Sequence, residues 1–221
     1  MLRYIILGLI LAGLFQVFFW ITQDNRVTLK QNATERFESL SYAPFEGYDK
    51  KFLSPEQIEE DIGILLNFTD KVRTYSTADA KVILEAASKT NMKVDLGLWL
   101  SPDHTENHLE IERAVKLLKK YPDSINNVIV GNETLLRTDL NEVELMAYLD
   151  FMKEFTKKPI TTAEVWHTLE KYPELGNHVD FITVHILPYW EKIPIEQFNS
   201  FVIEKYTIVE KLYPNKKITI G

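Results

Sequence analysis

The chain has 221 residues, of which 45% are hydrophobic and 26% are charged, a composition typical of a globular protein with a buried core. Its net charge of −7 argues against a nucleic-acid partner, because phosphate binding requires clustered lysine and arginine. The absence of cysteine excludes disulfides, thiol nucleophiles and zinc–thiolate sites.

The N-terminus is strongly apolar, since residues 4–21 contain one polar side chain, Gln16, and no charge. As a helix, this stretch would be about 27 Å long, close to the thickness of the hydrocarbon core of a bilayer. Its aromatic end, Phe18 to Trp20, suits a membrane interface. The pattern favours an uncleaved transmembrane signal anchor at residues 1–22 over a cleaved signal peptide. Positive charges flank both ends, so charge alone leaves the orientation open.

The rest of the chain alternates between strand-like and helix-like segments. Residues 23–37 are polar and aperiodic, which predicts a linker, and the domain is expected at residues 38–221. Most of its short β-branched runs are apolar on both faces, as in parallel strands covered by helices. Seven strands are predicted: Leu40–Phe45, Lys71–Ser76, Lys93–Leu100, Ile125–Glu133, Pro159–Trp166, Val179–Leu187 and Lys217–Gly221.

Helices with clear start patterns separate these strands. Ser54 supplies an N-cap, Pro55 suits the first helical position and Gln57 completes a capping box. Thr77 is predicted to cap the next helix in the same manner. Three more helices are predicted, at Glu106–Lys120, Glu142–Thr156 and Ile195–Leu212.

This alternation fits either an open doubly wound sheet or a closed α/β barrel of the TIM type, (β/α)₈. A dinucleotide-binding sheet would have a glycine-rich turn after its first strand, whereas this sequence has APFEGYDKK there. Polar and aromatic residues end many strands instead, as at the active-site end of a barrel. We therefore predict an incomplete TIM-type barrel with about seven strands. The strand-end residues are Tyr42, Arg73, Tyr75, Trp99, Asn132, Glu133, Trp166 and Tyr189.

The fourth predicted strand ends in the sequence Gly131-Asn132-Glu133. The glycine would allow a tight exit from the strand and direct the next two side chains into the barrel mouth. A carboxylic acid there can protonate a glycosidic oxygen, and an amide can hold a sugar hydroxyl. A turn with a solvated glutamate is the alternative, and the tripeptide alone does not decide between them.

Five segments carry a resemblance to glycoside hydrolase family 17, the β-1,3-glucanases and glucanosyltransferases, and most of all to its bacterial members. They are SYAPF, KVRTYS, VIVGNETLLR, TTAEVW and VHILPYWE, in that order between residues 40 and 191. The resemblance implies a retaining hydrolase or glucanosyltransferase that acts on β-1,3-linked or related β-1,6-linked glucan. Such a mechanism needs two carboxyl groups about 5–5.5 Å apart.

The resemblance also implies individual roles. Glu133 matches the general acid/base, and Asn132 matches the residue that contacts the 2-hydroxyl of the reacting sugar. Tyr42 and Tyr189 match tyrosines that line the cleft. The family's nucleophile is a glutamate that would follow Gly221 directly, so we expect the chain to be truncated and this fragment to be inactive.

Other residues are candidates for substrate binding. Glu164 and Glu191 are possible replacements for the nucleophile, although a positioning role or a solvated position suits them better. Arg73 is expected to position the catalytic carboxylates, with a structural ion pair as the alternative. The aromatic candidates either stack on glucose rings or pack in the barrel wall; they are Trp99, Trp166, Tyr189 and Trp190.

No cofactor or metal site is predicted, because His104 and His108 lack the H-E-x-x-H pattern and a third ligand. The expected partners are a β-glucan oligo- or polysaccharide and, through residues 4–21, a membrane. Similarity to the bacterial members implies association or fusion with a membrane glycosyltransferase. It also implies a location at the bacterial inner membrane, with the barrel facing the periplasm or the outside. Two alternatives stay open: a non-catalytic, membrane-tethered glucan-binding barrel, and an inactive gene fragment.

Overall fold

A computed structural model describes residues 2–23, 36–46 and 51–221 of the chain. These residues fall into two units, Met1–Glu35 and Arg36–Gly221. The first unit contains helix α1, Leu2–Gln23, and residues 24–35 of the predicted linker lie outside the described residues. In the described part of the chain, no helix has the length and apolar character needed to cross a membrane, so the anchor predicted at residues 4–21 is not confirmed.

The second unit is built on one sheet of seven parallel strands that follow one another in chain order. A doubly wound sheet would reverse its strand order at a switch point, so this order excludes that alternative. Arg73 on the second strand hydrogen bonds to His185 on the sixth, which shows that the sheet is curled. The prediction of a TIM-type sheet with seven strands is therefore confirmed. The strands are β1 Leu40–Ser41, β2 Lys71–Arg73, β3 Lys93–Leu98, β4 Ile125–Asn132, β5 Ile160–Val165, β6 Ile182–His185 and β7 Ile218–Ile220.

Several strands are shorter than predicted. The first was expected to run to Phe45, but β1 ends at Ser41 because it is an edge strand that pairs with β2 alone. Phe45–Glu46 instead pairs antiparallel with Lys51–Phe52 in a separate two-stranded sheet. The fifth predicted strand included Trp166, which the structure assigns to a helix.

The helices are α2 Pro55–Leu65, α3 Thr77–Ala87, α4 His104–Lys120, α5 Glu142–Lys153, α6 Trp166–Lys171 and α7 Phe198–Leu212. Short 3₁₀ turns at Pro173–His178 and Ile195–Gln197 precede β6 and α7. Helix α6 was not predicted, and the start of the seventh helix was predicted three residues early because Ile195 belongs to a 3₁₀ turn.

The helix caps are partly as predicted. Ser54 and Gln57 form the expected capping box of α2. The cap of α3 is Ser76 and not Thr77, because the Thr77 hydroxyl donates to the buried carboxylate of Glu110 instead.

Helix α4 starts at His104, two residues before the predicted start. Its cap is the Asp103 side chain, which accepts hydrogen bonds from the backbone N–H groups of Thr105 and Glu106. Such a cap satisfies N–H groups that have no partner inside the helix.

The alternation of strand side chains separates an apolar layer from a polar lumen. Val72, Val94 and Val128 belong to the hydrophobic core that the strands form with the helices. The intervening residues, such as Arg73 and Asp95, line a cavity of about 460 Å³ inside the curl of the sheet. The sheet therefore presents charged side chains along its inner surface and apolar ones to its helices.

Candidate active site

Two residues at the carboxyl end of β4, Gly131 within the strand and Glu133 directly after it, have left-handed backbone conformations. Gly131 has φ +83°, and a Cβ added there would lie 2.6 Å from the hydroxyl oxygen of Thr134. Glu133 has φ +52°, which costs a non-glycine residue about 1–2 kcal/mol. Its N–H donates to the carbonyl of Ala163, 2.7 Å away. Strain of this kind persists where the surrounding structure enforces it and is frequent at functional sites.

Arg137 holds the turn in place through its guanidinium group. This group donates to the carbonyls of Asn132 and Leu100 and forms an ion pair with Asp139. It also lies over the ring of Trp99, 4.3 Å from the ring centroid. The sequence identified Arg137 only as the end of a family-like segment, and its contacts with the end of β3 were not predicted.

Glu164 on β5 lies beneath the same turn and is completely buried. Its Oε1 accepts a hydrogen bond from the N–H of Leu135, 2.8 Å away. Burial raises the pKa of Glu164 to about 7; the charge of Glu133 adds to this rise, and backbone N–H groups oppose it. Among the described residues, its Oε2 has no hydrogen-bond partner. A carboxyl group in this position supports the Glu133 turn from below.

The side chain of Glu133 is 23% exposed and is bonded to a buried network. Its Oε1 lies 2.6 Å from Nδ1 of His185, at the end of β6. Nε2 of His185 lies 3.0 Å from Nη1 of Arg73, whose Nη2 donates to Oδ1 of Asn132 at 2.6 Å. The structure thus brings together three of the predicted residues, Arg73, Asn132 and Glu133.

His185 was not predicted to be a member of this network. A polar residue at the carboxyl end of β6 was a usable indication, because such ends meet at the mouth of a barrel. Burial lowers the pKa of His185, and the positive charge of Arg73 lowers it further. Burial also lowers the pKa of Arg73.

Two more residues contact Arg73. The guanidinium carbon lies 5.2 Å from the ring centroid of Tyr75, which joins this predicted residue to the network. Gly221, which follows β7, comes so close that an added Cβ would lie 2.6 Å from Nη1 of Arg73 and 3.2 Å from the His185 ring. The carboxyl end of β7 therefore adjoins the Arg73–His185 pair.

Tyr42 is half-buried, and its hydroxyl donates to Asp61 on α2 at 2.7 Å. Burial and the Asp61 carboxylate raise the pKa of Tyr42 well above its ordinary value. Its hydroxyl is therefore directed to α2, and the structure does not connect it to Glu133.

The predicted stacking residues differ in exposure. Trp99 is 42% exposed, whereas Trp166 packs against the hydrophobic core and donates from Nε1 to Glu191. Lys205 covers Trp166, 4.4 Å from the ring centroid. Tyr189 and its neighbour Trp190 are each 74% exposed and make an edge-to-face pair. Their stacking on sugars stays a prediction.

Residues 39–221 match the family described as the BtgE/BtgC glycoside hydrolase domain. The chain is 28% identical, over 163 residues, to a probable glucan endo-1,3-beta-glucosidase btgC of Aspergillus clavatus; the match covers 65% of this chain and 23% of that protein. It is 25% identical over 169 residues to a glucan 1,3-beta-glucosidase of Schizosaccharomyces pombe; the match covers 69% of this chain and 52% of that protein. The chain thus spans about a quarter to a half of the length of these curated relatives.

Solved structures of several other proteins share the fold. A glycoside hydrolase family 17 beta-1,3-glucanosyltransferase from Rhizomucor miehei has a TM-score of 0.73 at 24% identity, covering 83% of this chain and 70% of that one. An endo-laminarinase from Formosa has a TM-score of 0.74 at 19% identity, covering 84% of this chain and 65% of that one. The resemblance to family 17 is therefore confirmed. With a family match over residues 39–221, the chain belongs to the BtgE/BtgC glycoside hydrolase domain family.

Proposed function

We propose that the protein cleaves β-1,3-glucan with retention of configuration and transfers the glycosyl group to water or to a sugar hydroxyl. Membership of a glycoside hydrolase family supports O-glycosyl chemistry. The names of the Aspergillus and Schizosaccharomyces relatives support a β-1,3-glucan substrate. The observation that carries the proposal is the partly exposed carboxyl of Glu133, on a strained turn and bonded to a buried histidine.

Glu133 acts as acid and then as base in this proposal. In the first step its proton passes to the glycosidic oxygen while a second carboxylate attacks C1, which releases the leaving glucan. In the second step the Glu133 carboxylate takes a proton from water or from an acceptor hydroxyl, whose oxygen bonds to C1 as the bond between C1 and the enzyme breaks. Asn132 has its amide oxygen held by Arg73, which leaves its N–H₂ group to donate to the sugar 2-hydroxyl.

For the nucleophile we propose a glutamate directly after Gly221. The approach of Gly221 to Arg73 and His185 supports this position, because it lies beside the partners of Glu133. The positive charge of Arg73 would favour the ionised form of a carboxyl group there.

The test uses a chain extended past Gly221 with glutamate as the next residue, incubated with laminari-oligosaccharides. Products identified by mass separate hydrolysis, which shortens the chains, from transfer, which also lengthens some of them. We expect Glu133→Gln to lower kcat by about 10²- to 10⁴-fold. The matched control, Glu112→Gln on the exposed surface of α4, should leave kcat unchanged. Intact oligosaccharides with the extended chain, or full kcat in Glu133→Gln, would reject the proposal.

A second candidate function is glucan binding without cleavage. The exposed pair of Tyr189 and Trp190 supports it, because such rings offer free faces to a sugar. It predicts measurable affinity for laminari-oligosaccharides in the absence of turnover by the extended chain. The association with a glycosyltransferase and the location at a membrane stay predictions.

A further inference from the structure

The hydrogen-bond pattern around His185 determines which ring nitrogen carries the proton. A guanidinium group has N–H donors and no acceptor. Since Nη1 of Arg73 lies 3.0 Å from Nε2 of His185, that nitrogen must accept and is therefore unprotonated. The ring proton then resides on Nδ1, which donates to Oε1 of Glu133 at 2.6 Å.

The same contact keeps the ring neutral. An imidazolium would present an N–H group at Nε2 directly to the N–H group of Arg73. His185 is 7% exposed, and burial disfavours a charged ring further. The charged groups around it are Arg73 of β2 and the Glu133 carboxylate beyond β4. Asp95 of β3 and Tyr75 interact electrostatically with Arg73, and Glu164 of β5 interacts in the same way with Glu133. The end of β7 contributes Gly221, which carries no charge.

A neutral ring with its proton on Nδ1 restricts where Glu133 can hold a proton. Oε1 faces an N–H donor, so a proton on that oxygen would oppose the one on Nδ1. We propose that His185 is a positioning residue, fixed by Arg73 as the Nδ1–H tautomer, which keeps Oε1 of Glu133 as an acceptor and leaves Oε2 to exchange the catalytic proton. In the acid step, the Oε2–H bond breaks and the proton moves to the glycosidic oxygen; in the base step, Oε2 receives a proton from the acceptor.

The assignment of Oε2 rests on the proposed role of Glu133, whereas the tautomer of His185 does not. Nitrogen-15 NMR of the imidazole rings in the full chain therefore tests the inference without any activity. The chain has five histidines, and the His185 ring is assigned through its couplings to its own backbone. We expect an Nδ1–H tautomer that stays neutral as the pH falls through the ordinary histidine pKa of about 6.5. A proton on Nε2, or titration near the ordinary histidine pKa of about 6.5, would overturn the inference.

Two substitutions of His185 test its effect on Glu133 in the extended chain. The amide of His185→Asn reaches the position of Nδ1 and retains a donor to Oε1, whereas that of His185→Gln reaches the position of Nε2 and contacts Arg73 instead. We expect kcat to fall less than about tenfold in His185→Asn and about 100-fold in His185→Gln. His185→Gln removes the hydrogen bond that favours the ionised carboxylate, so the basic limb of the pH profile should move to higher pH in this variant alone.

The control substitution is His108→Asn, on the exposed surface of α4, which should change neither kcat nor the pH profile. Equal losses of kcat in the two His185 variants, with unmoved profiles, would overturn the positioning role. If NMR shows the Nδ1–H tautomer while the extended chain leaves laminari-oligosaccharides intact, the proposed function fails and the tautomer assignment stands.

Discussion

The Oε1 atom of Glu164 accepts a hydrogen bond from the backbone N–H of Leu135, and this contact joins the end of β5 to the turn that carries Glu133. The bond is made in the interior, where an acceptor for a backbone N–H matters most, because an unpaired donor there costs about 1–3 kcal/mol. The geometry of the candidate acid/base thus depends on a second carboxyl group that substrate does not have to touch.

Glu164 should make the protein less stable as the pH rises. Its folded pKa of about 7 exceeds the ordinary value of 4.5, so between these values the folded state holds a proton that the unfolded state has released. This stabilisation is complete below about pH 4.5 and is lost as the pH rises through about 7. We expect the free energy of unfolding of the neutral variant Glu164→Gln, relative to the wild type, to rise by on the order of 3 kcal/mol as the pH increases between these limits. Urea unfolding measures this difference.

The matched control is Glu170→Gln, at an exposed position of α6, which should follow the wild type across the whole pH range. A constant difference between Glu164→Gln and the wild type would contradict the raised pKa.

The left-handed backbone of Glu133 predicts an unusual order of stabilities. Glycine adopts φ +52° without the cost that a Cβ imposes, so Glu133→Gly should be about 1 kcal/mol more stable than Glu133→Ala. Glu85, an exposed residue within α3, is the control, because there alanine should be the more stable by about the same amount. Urea unfolding of the four variants measures both differences, and the same order at both positions would refute the prediction.

Substitution by alanine should change the folding stability in opposite directions at Gly131 and at Gly63. At Gly131, the positive φ and the 2.6 Å approach of the Thr134 hydroxyl leave no room for a Cβ, so we expect a loss of about 2 kcal/mol. Gly63 lies in α2, where an added Cβ meets no described atom within 4 Å, and Gly63→Ala should stabilise by about 0.5–1 kcal/mol. Thermal unfolding checks both signs, and stabilisation by Gly131→Ala would contradict the geometry of the turn.

Alanine substitution should affect glucan binding at Trp99 and folding stability at Trp166. Trp99 is exposed beside the Glu133 turn, so Trp99→Ala should weaken laminari-oligosaccharide binding about tenfold, which corresponds to about 1.4 kcal/mol. Trp166 packs against the core and bonds to Glu191, so Trp166→Ala should cost about 2 kcal/mol of folding stability and less affinity. Calorimetric titration and urea unfolding measure the two effects. The reverse assignment of effects would show that Trp166 is the stacking residue.

The predictable features of this fold are those that depend on neighbours in the sequence. The capping box of Ser54 and Gln57 lies within four consecutive residues, and β5, ITTAEV, is a short β-branched run. The cap of α3 was predicted wrongly because the competing partner of Thr77, Glu110, is 33 residues away. Local patterns contain no information about such a partner.

The candidate site shows the same division. Glu133 and Asn132 were identified because a family-like segment surrounds them, and Arg73 because it ends a strand. The bond between Arg73 and His185 joins residues 112 positions apart, and it forms only because the sheet curls. Neither periodicity nor spacing predicts which polar strand ends will meet across a lumen.

The strictly sequential order of the strands has a consequence for how the protein is made. Each strand of the sheet pairs with the one synthesised just before it, so a chain emerging from the ribosome always has its pairing partner already outside. In the described sheet, each strand pairs with its predecessor and not with a strand far away in the sequence. The loop that must close at each step is therefore short. The bond between Arg73 and His185 is the exception, since it requires β6. The scaffold can therefore assemble in order of translation, and the Glu133 network becomes complete only once β6 has been synthesised.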